Sequence, residues 1–139
     1  MAENEYGMFM QSINAFVQKA KASQEQVIRA ASIRILSRLV MMSPVDTGRF
    51  RGNWQVTFED AAGSPLDTVD PSGESTIANG TIIIESFRVG MKSVFFTNAL
   101  PYAYRLETGY SQQAPNGMVR ITAAEFQAFF DAAAKELPQ

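Results

Sequence analysis

The chain has 139 residues, is 46% hydrophobic, and carries 12 lysines and arginines against 14 aspartates and glutamates. This length and balance suit one folded domain, residues 1–139, with a core of its own. The absence of cysteine and histidine excludes disulfides, thiol catalysis, imidazole metal ligation and histidine acid–base chemistry.

Residues 5–42 contain no proline and repeat apolar residues at helical spacing. Phe9, Ile13, Phe16, Val17 and Ala20 make one stripe; Ile28, Ala31, Ile35, Leu39 and Met42 make a second. Ser23 with Gln26 has the form of a capping box, which predicts a kink near Ser23. An unbroken helix over this range would measure ~57 Å, longer than a compact domain of this mass. Either it breaks, or residues 1–22 project and pack on a neighbour. Pro44 ends the pattern, because it pushes Ser43 toward extended geometry.

After a polar loop at 43–53, Trp54, Val56 and Phe58 alternate with Gln55 and Thr57, as in a half-buried strand. Residues 60–73, rich in glycine, proline and aspartate, read as a mobile loop. Residues 70–90 stay open on local chemistry. Asp70-Pro71 suits a helix start and Gly90 a stop, whereas Asn79-Gly80 and Ile82-Ile83-Ile84 suit a hairpin. Val94, Phe95 and Phe96 read as a short strand, and Met118-Val119-Arg120-Ile121 as the last one. Thr122 and Glu125 form a second capping box, which opens a helix with Phe126, Phe129, Phe130 and Ala133 on its core face and Pro138 as its limit. The fold class expected is α+β: a long N-terminal and a C-terminal helix packed on a small, mainly antiparallel sheet.

Little of the sequence carries catalytic chemistry. Asp60, Asp67, Asp70 and Glu74 lack the ordered spacing of a calcium loop, and Gly48 and Gly52 lack the lysine of a phosphate loop. No catalytic residue, cofactor or metal is expected. Arg29, Arg34, Arg38, Arg49 and Arg51 face only Asp46 between residues 26 and 58. They form either a solvated face with intrachain ion pairs, or a basic face for a partner or for DNA. The segment 98–118 places Tyr102, Tyr104 and Tyr110 beside Arg105, Glu107 and Gln113, residue types that favour a docking surface.

Two blocks together resemble a known family. The first is Ser43-Pro-Val-Asp-Thr-Gly-Arg-Phe-Arg-Gly-Asn-Trp54. The second runs Phe96-Thr-Asn-Ala-Leu-Pro-Tyr-Ala-Tyr-Arg-Leu-Glu-Thr-Gly-Tyr-Ser-Gln-Gln-Ala-Pro-Asn-Gly-Met-Val-Arg120. In this order and at this distance they are similar to the HK97-type tail-component family, the neck and tail-completion proteins of long-tailed bacteriophages. The resemblance implies a non-enzymatic virion protein, assembled in the host cytoplasm, that forms a ring at the head–tail junction and joins tail to head. The family suggests a hexamer. Its partners would be further copies of itself, head-completion or connector proteins, and a terminator or tail-tube protein, with DNA passing through the channel and no membrane. A helix over 72–89 is implied as well. The alternative within this class is a tail terminator that stops tube polymerisation; outside it stands a small arginine-dependent nucleic-acid-binding module. In the ring, Asp46, Thr47 and Gly48 would form a tight turn capped by Asp46. Arg49 and Arg51 would project onto a neighbour. Tyr102, Tyr104, Arg105, Glu107, Gln113 and Arg120 would supply the second half of the interface, and Arg29, Arg34 and Arg38 would face the lumen or a partner.

Overall fold

The computed structural model describes residues 2–137, and of residues 2–7 and 9 the backbone alone. The fold is α+β. Helix α1 (Ala2–Met42) leads through a 3-10 turn (Arg51–Asn53) into strand β1 (Trp54–Thr57). Helix α2 (Glu74–Glu85), strand β2 (Phe95–Asn98) and helices α3 (Ala103–Glu107), α4 (Val119–Ala124) and α5 (Phe126–Lys135) follow. The strands pair antiparallel, with Trp54 opposite Asn98 and Val56 opposite Phe96.

The C-terminal half of α1 is the spine of the core. Ile35, Leu36, Leu39 and Val40 are buried against Phe50, Trp54, Val56, Ile84, Leu100 and Met118. Each such side chain contributes about 1.5–3 kcal/mol on full burial. Helix α2 packs across α1 through Gly80, where an added methyl group would collide with a Leu36 methyl and lie 3.3 Å from Val56. This contact explains why Asn79-Gly80 sits inside a helix. The glycine serves close helix packing rather than a hairpin turn, and the helical reading of 72–89 holds over Glu74–Glu85.

Helix α1 does not break at Ser23; it runs unbroken through Ala22–Gln26. Residues 10–22 project from the body instead: all are solvent-exposed, Phe16 to 73%. The body begins at Glu25, whose carboxylate accepts the Val89 N–H at 3.0 Å. The Phe9 side chain of the expected stripe and the Pro138 stop lie outside the described residues.

Four further expectations are corrected. Residues 119–121 belong to helix α4 rather than a last strand, because the Glu107 carboxylate collects the N–H groups of Met118, Val119 and Arg120 and so starts a helix there. Thr122 therefore lies inside α4, buried, and does not cap α5. Phe126, placed at the α4–α5 junction, is half exposed and stacks on Phe130 at 4.7 Å between ring centres instead of entering the core. Helix α2 starts at Glu74 rather than after Pro71, yet Asp70 still serves it: its carboxylate accepts the Thr76 N–H at 2.8 Å and the Thr76 hydroxyl at 2.7 Å.

The 60–73 loop has no regular structure, as expected, but it is tied down along its length. Leu66 N–H donates to Asn53 Oδ1 at 2.7 Å, Gln55 Nε2 to Ser64 O at 2.9 Å, and Asp70 N–H to Gly48 O at 2.9 Å.

A Gly80→Ala substitution tests the α1–α2 contact. Alanine gains about 1 kcal/mol in helix propensity, but overpacking a full core typically costs 1–3 kcal/mol. Chemical denaturation is expected to show a net loss of up to about 2 kcal/mol; a net gain would mean that α2 rides loosely on α1.

Candidate functional site

The two blocks fold against each other. Val45 N–H donates to Gln113 Oε1 at 2.9 Å, and Gln113 Nε2 donates to Val45 O at 3.0 Å. One glutamine side chain thus pairs with a loop backbone as a neighbouring strand would. Asn98 Nδ2 donates to Phe50 O at 2.9 Å, and the Phe50 ring meets Trp54 at 6.1 Å and Tyr102 at 6.2 Å. Between the blocks lies an open groove of about 570 Å³, lined by Asp46, Thr47, Arg49, Tyr102, Leu106 and Tyr110 among others.

The first block is held by its own backbone. Thr47 Oγ1, not Asp46, accepts the Arg49 N–H at 3.2 Å. Gly48 has φ +95°, and its carbonyl accepts both Gly52 N–H and Asp70 N–H. A Cβ there would lie 2.5 Å from Pro71 N, so only glycine fits. Asn53, fully buried, donates to Arg49 O at 2.7 Å while its oxygen receives Leu66 N–H.

Arg49 and Arg51, expected to act together, have different roles. Arg49 is exposed at the groove. Arg51 turns inward and donates to the carbonyls of Met41 at 3.1 Å, Ser43 at 2.9 Å and Pro71 at 2.9 Å. It places a cation at the C-terminus of α1, whose own last turn carries no basic residue. The expected projection of Arg51 onto a neighbour is corrected accordingly.

The helix arginines are also engaged within the chain. Arg29 donates to Glu25 and to the Phe87 carbonyl just past the end of α2. Arg34 pairs with Glu136, and Arg38 with Glu125 at 2.9 Å. These contacts clamp α5 and the α2 terminus onto α1. They match the reading of a solvated face with intrachain ion pairs rather than a free basic face.

In the second block, Glu107 is an internal anchor, whereas the Arg120 side chain bonds back toward it and stays 66% exposed. Glu107 Oε1 accepts Met118 and Val119 N–H at 2.8 Å each, and Oε2 accepts Arg120 N–H at 3.0 Å. Arg120 donates to Glu107 O and Asn116 O. Burial pushes the Glu107 carboxyl up, but the three backbone donors and the Arg120 charge outweigh it and hold the carboxyl below its ordinary range. The aromatic residues of the block also face outward. Tyr104 is 80% and Tyr110 73% exposed, and the Arg105 guanidinium lies 5.3 Å from the centre of the Tyr110 ring. Tyr102 is partly covered by Phe50.

The groove therefore presents Arg49, Tyr102 and Tyr110 on a backbone that is tied in place. That arrangement suits docking of a protein surface. Among the described residues no group of three or more acidic side chains is placed to hold a metal, and no helix is long and apolar enough to cross a membrane. Nothing in the sequence signals the Gln113–Val45 pairing, the Asn53 hub or the helix-starting role of Glu107, because each depends on backbone groups that only the folded loops bring within reach.

Two predictions follow from this geometry. Arg51→Ala is expected to lower stability by about 1.5–3 kcal/mol through loss of its charge-assisted bonds to the Met41, Ser43 and Pro71 carbonyls, whereas Arg49→Ala should stay within about 0.5 kcal/mol of the parent; urea denaturation reads both. The second concerns Glu107. Its folded-state value is depressed below the ordinary 4.5, so its stabilisation is present above that value and is lost as pH falls through the depressed one. Glu107→Gln opposes its amide to Arg120 N–H and should cost about 1–3 kcal/mol at neutral pH. Melting temperatures of variant and parent should converge below pH 4.5; a gap that persists in acid would show that the charge is immaterial.

No protein-family model, no curated protein and no solved structure matches this chain.

Proposed function

We propose that this chain is a structural virion protein of the bacteriophage head–tail junction, which forms a ring that completes the tail and joins it to the head. The observation that carries the reading is the meeting of the two family-like blocks around one groove. Val45 and Gln113 lock them together, and Arg49, Tyr104 and Tyr110 are left outward. A docking face of this kind, repeated around a closed ring, is a heterologous contact in which one surface meets a different surface of the next copy. Tyrosine and arginine are the residue types that dominate such contacts. In this reading the neighbours are further copies, head-completion or connector proteins, and tail proteins. DNA in the channel would have to displace Glu25, Glu125 and Glu136 before it engaged Arg29, Arg38 and Arg34, so passage without specific binding fits the chain better than a nucleic-acid-binding module.

The test is electron microscopy of lysates from a phage lacking the gene. Filled heads beside separate tails of normal length are the expected outcome. Tails of irregular, excessive length would assign the chain as terminator instead, and intact infectious particles would overturn the junction reading. Complementation with Arg49→Glu is expected to cut particle yield at least about tenfold while the isolated protein keeps its parent melting temperature.

A further inference from the structure

The projecting half of α1 carries an unusual distribution of charge and apolar surface. From Tyr6 to Gln18 there is no charged residue. Within this stretch Met8, Met10, Ile13, Phe16 and Val17 are exposed. Negative charge stands only at the start, Glu3 and Glu5, and positive charge only at the end, Lys19 and Lys21. Interface cores are depleted of charge in this way, and an apolar stripe along a free helix is stable only when covered.

We infer that the segment before Glu25 pairs antiparallel with the same segment of a second copy of this chain. The charges choose the direction. A parallel pair would set glutamate beside glutamate and lysine beside lysine; an antiparallel pair sets Glu3 beside Lys21 of the partner subunit and Glu5 beside Lys19 of the partner subunit in a single register. The apolar residues agree, since that register brings Met10 of one chain and Ile13 of the other to within about one residue of facing.

The length of the segment agrees independently. The body starts at Glu25, and the same register overlaps residues 3–21 of the two chains, all of them before that point. The exposed stretch 8–22 is ~22 Å long, and half of its surface is roughly 400 Å², so two such segments bury roughly 800 Å² in total. That area fits a reversible pair rather than a permanent one. This isologous contact is separate from a ring contact and does not rest on the head–tail reading.

The experiment is sedimentation equilibrium of the full chain at low salt. The parent is expected to dimerise. Lys19→Glu/Lys21→Glu and Glu3→Lys/Glu5→Lys should each weaken the dimer at least about tenfold, and an equimolar mixture of the two should restore it. Ile13→Asp should abolish it, with helix content held as judged by circular dichroism. Spin labels at Ala22→Cys, in a chain that has no native cysteine, should lie ~30 Å apart across the pair rather than ~10 Å, since the antiparallel register separates them by the length of the segment. A parent that stays monomeric, a larger assembly indifferent to these variants, or adjacent labels would overturn the antiparallel pair. The phage-deletion phenotype would be untouched by any of these results.

Discussion

The fold hangs on a short relay at the end of α1. Trp54 Nε1 donates to Ser43 Oγ at 2.7 Å, and Ser43 Oγ donates to Leu39 O at 2.6 Å, all of it buried. An indole in a core must satisfy its N–H or lose stability. Here the partner is the hydroxyl that ends the helix, so the first residue of β1 is fixed to the last turn of α1. Arg51 closes the same point from outside by taking the Met41 and Ser43 carbonyls. Helix end, sheet start and the intervening turn therefore move as one body, and Gly48, Phe50 and Asn53 are placed from it.

From that point outward, the long loops are built by side chains that act as backbone. Gln113 pairs with Val45, Asn53 with Arg49 and Leu66, Asn98 with Phe50, and Glu107 with the first turn of α4. Two strands of four residues each could not order so much loop by ladder bonds alone. Each amide or carboxylate supplies the donors and acceptors that a third or fourth strand would have given. In the proposed reading, docking at this face would cost little entropy, because its backbone is already held and only the exposed tyrosines and Arg49 would remain to be ordered.

What could be read from the chain alone follows the same division. Helical periodicity located α1 and α5, and alternation located β1, since burial of one face leaves a trace in the sequence; α2 stays open on local chemistry and is implied only by the family resemblance. The misread segments are those whose conformation is decided by a distant partner. Residues 118–121 look like a strand until Glu107 is seen to gather their N–H groups. Gly80 looks like a turn until Leu36 fills the space beside it. Arg51 looks like a surface cation beside Arg49 until the carbonyls at the end of α1 are placed around it. The groove was legible as two clusters of tyrosine, arginine and glycine; which of their polar residues would turn inward was not, because inward and outward roles use the same residue types.

The body and the projecting helix solve opposite problems. In the body, nearly every arginine of α1 is neutralised at home: Arg29 by Glu25, Arg34 by Glu136 and Arg38 by Glu125. Such pairs give modest stability when exposed, but they fix where α5 lies on α1 and leave little charge to repel a neighbouring copy. The projecting helix instead separates its charges to its two ends and keeps its middle apolar. A helix so arranged has no use for its own body, which lies on the far side of Glu25. In the antiparallel pair inferred above, the opposite signs at its two ends would make a reversed copy of itself its complement.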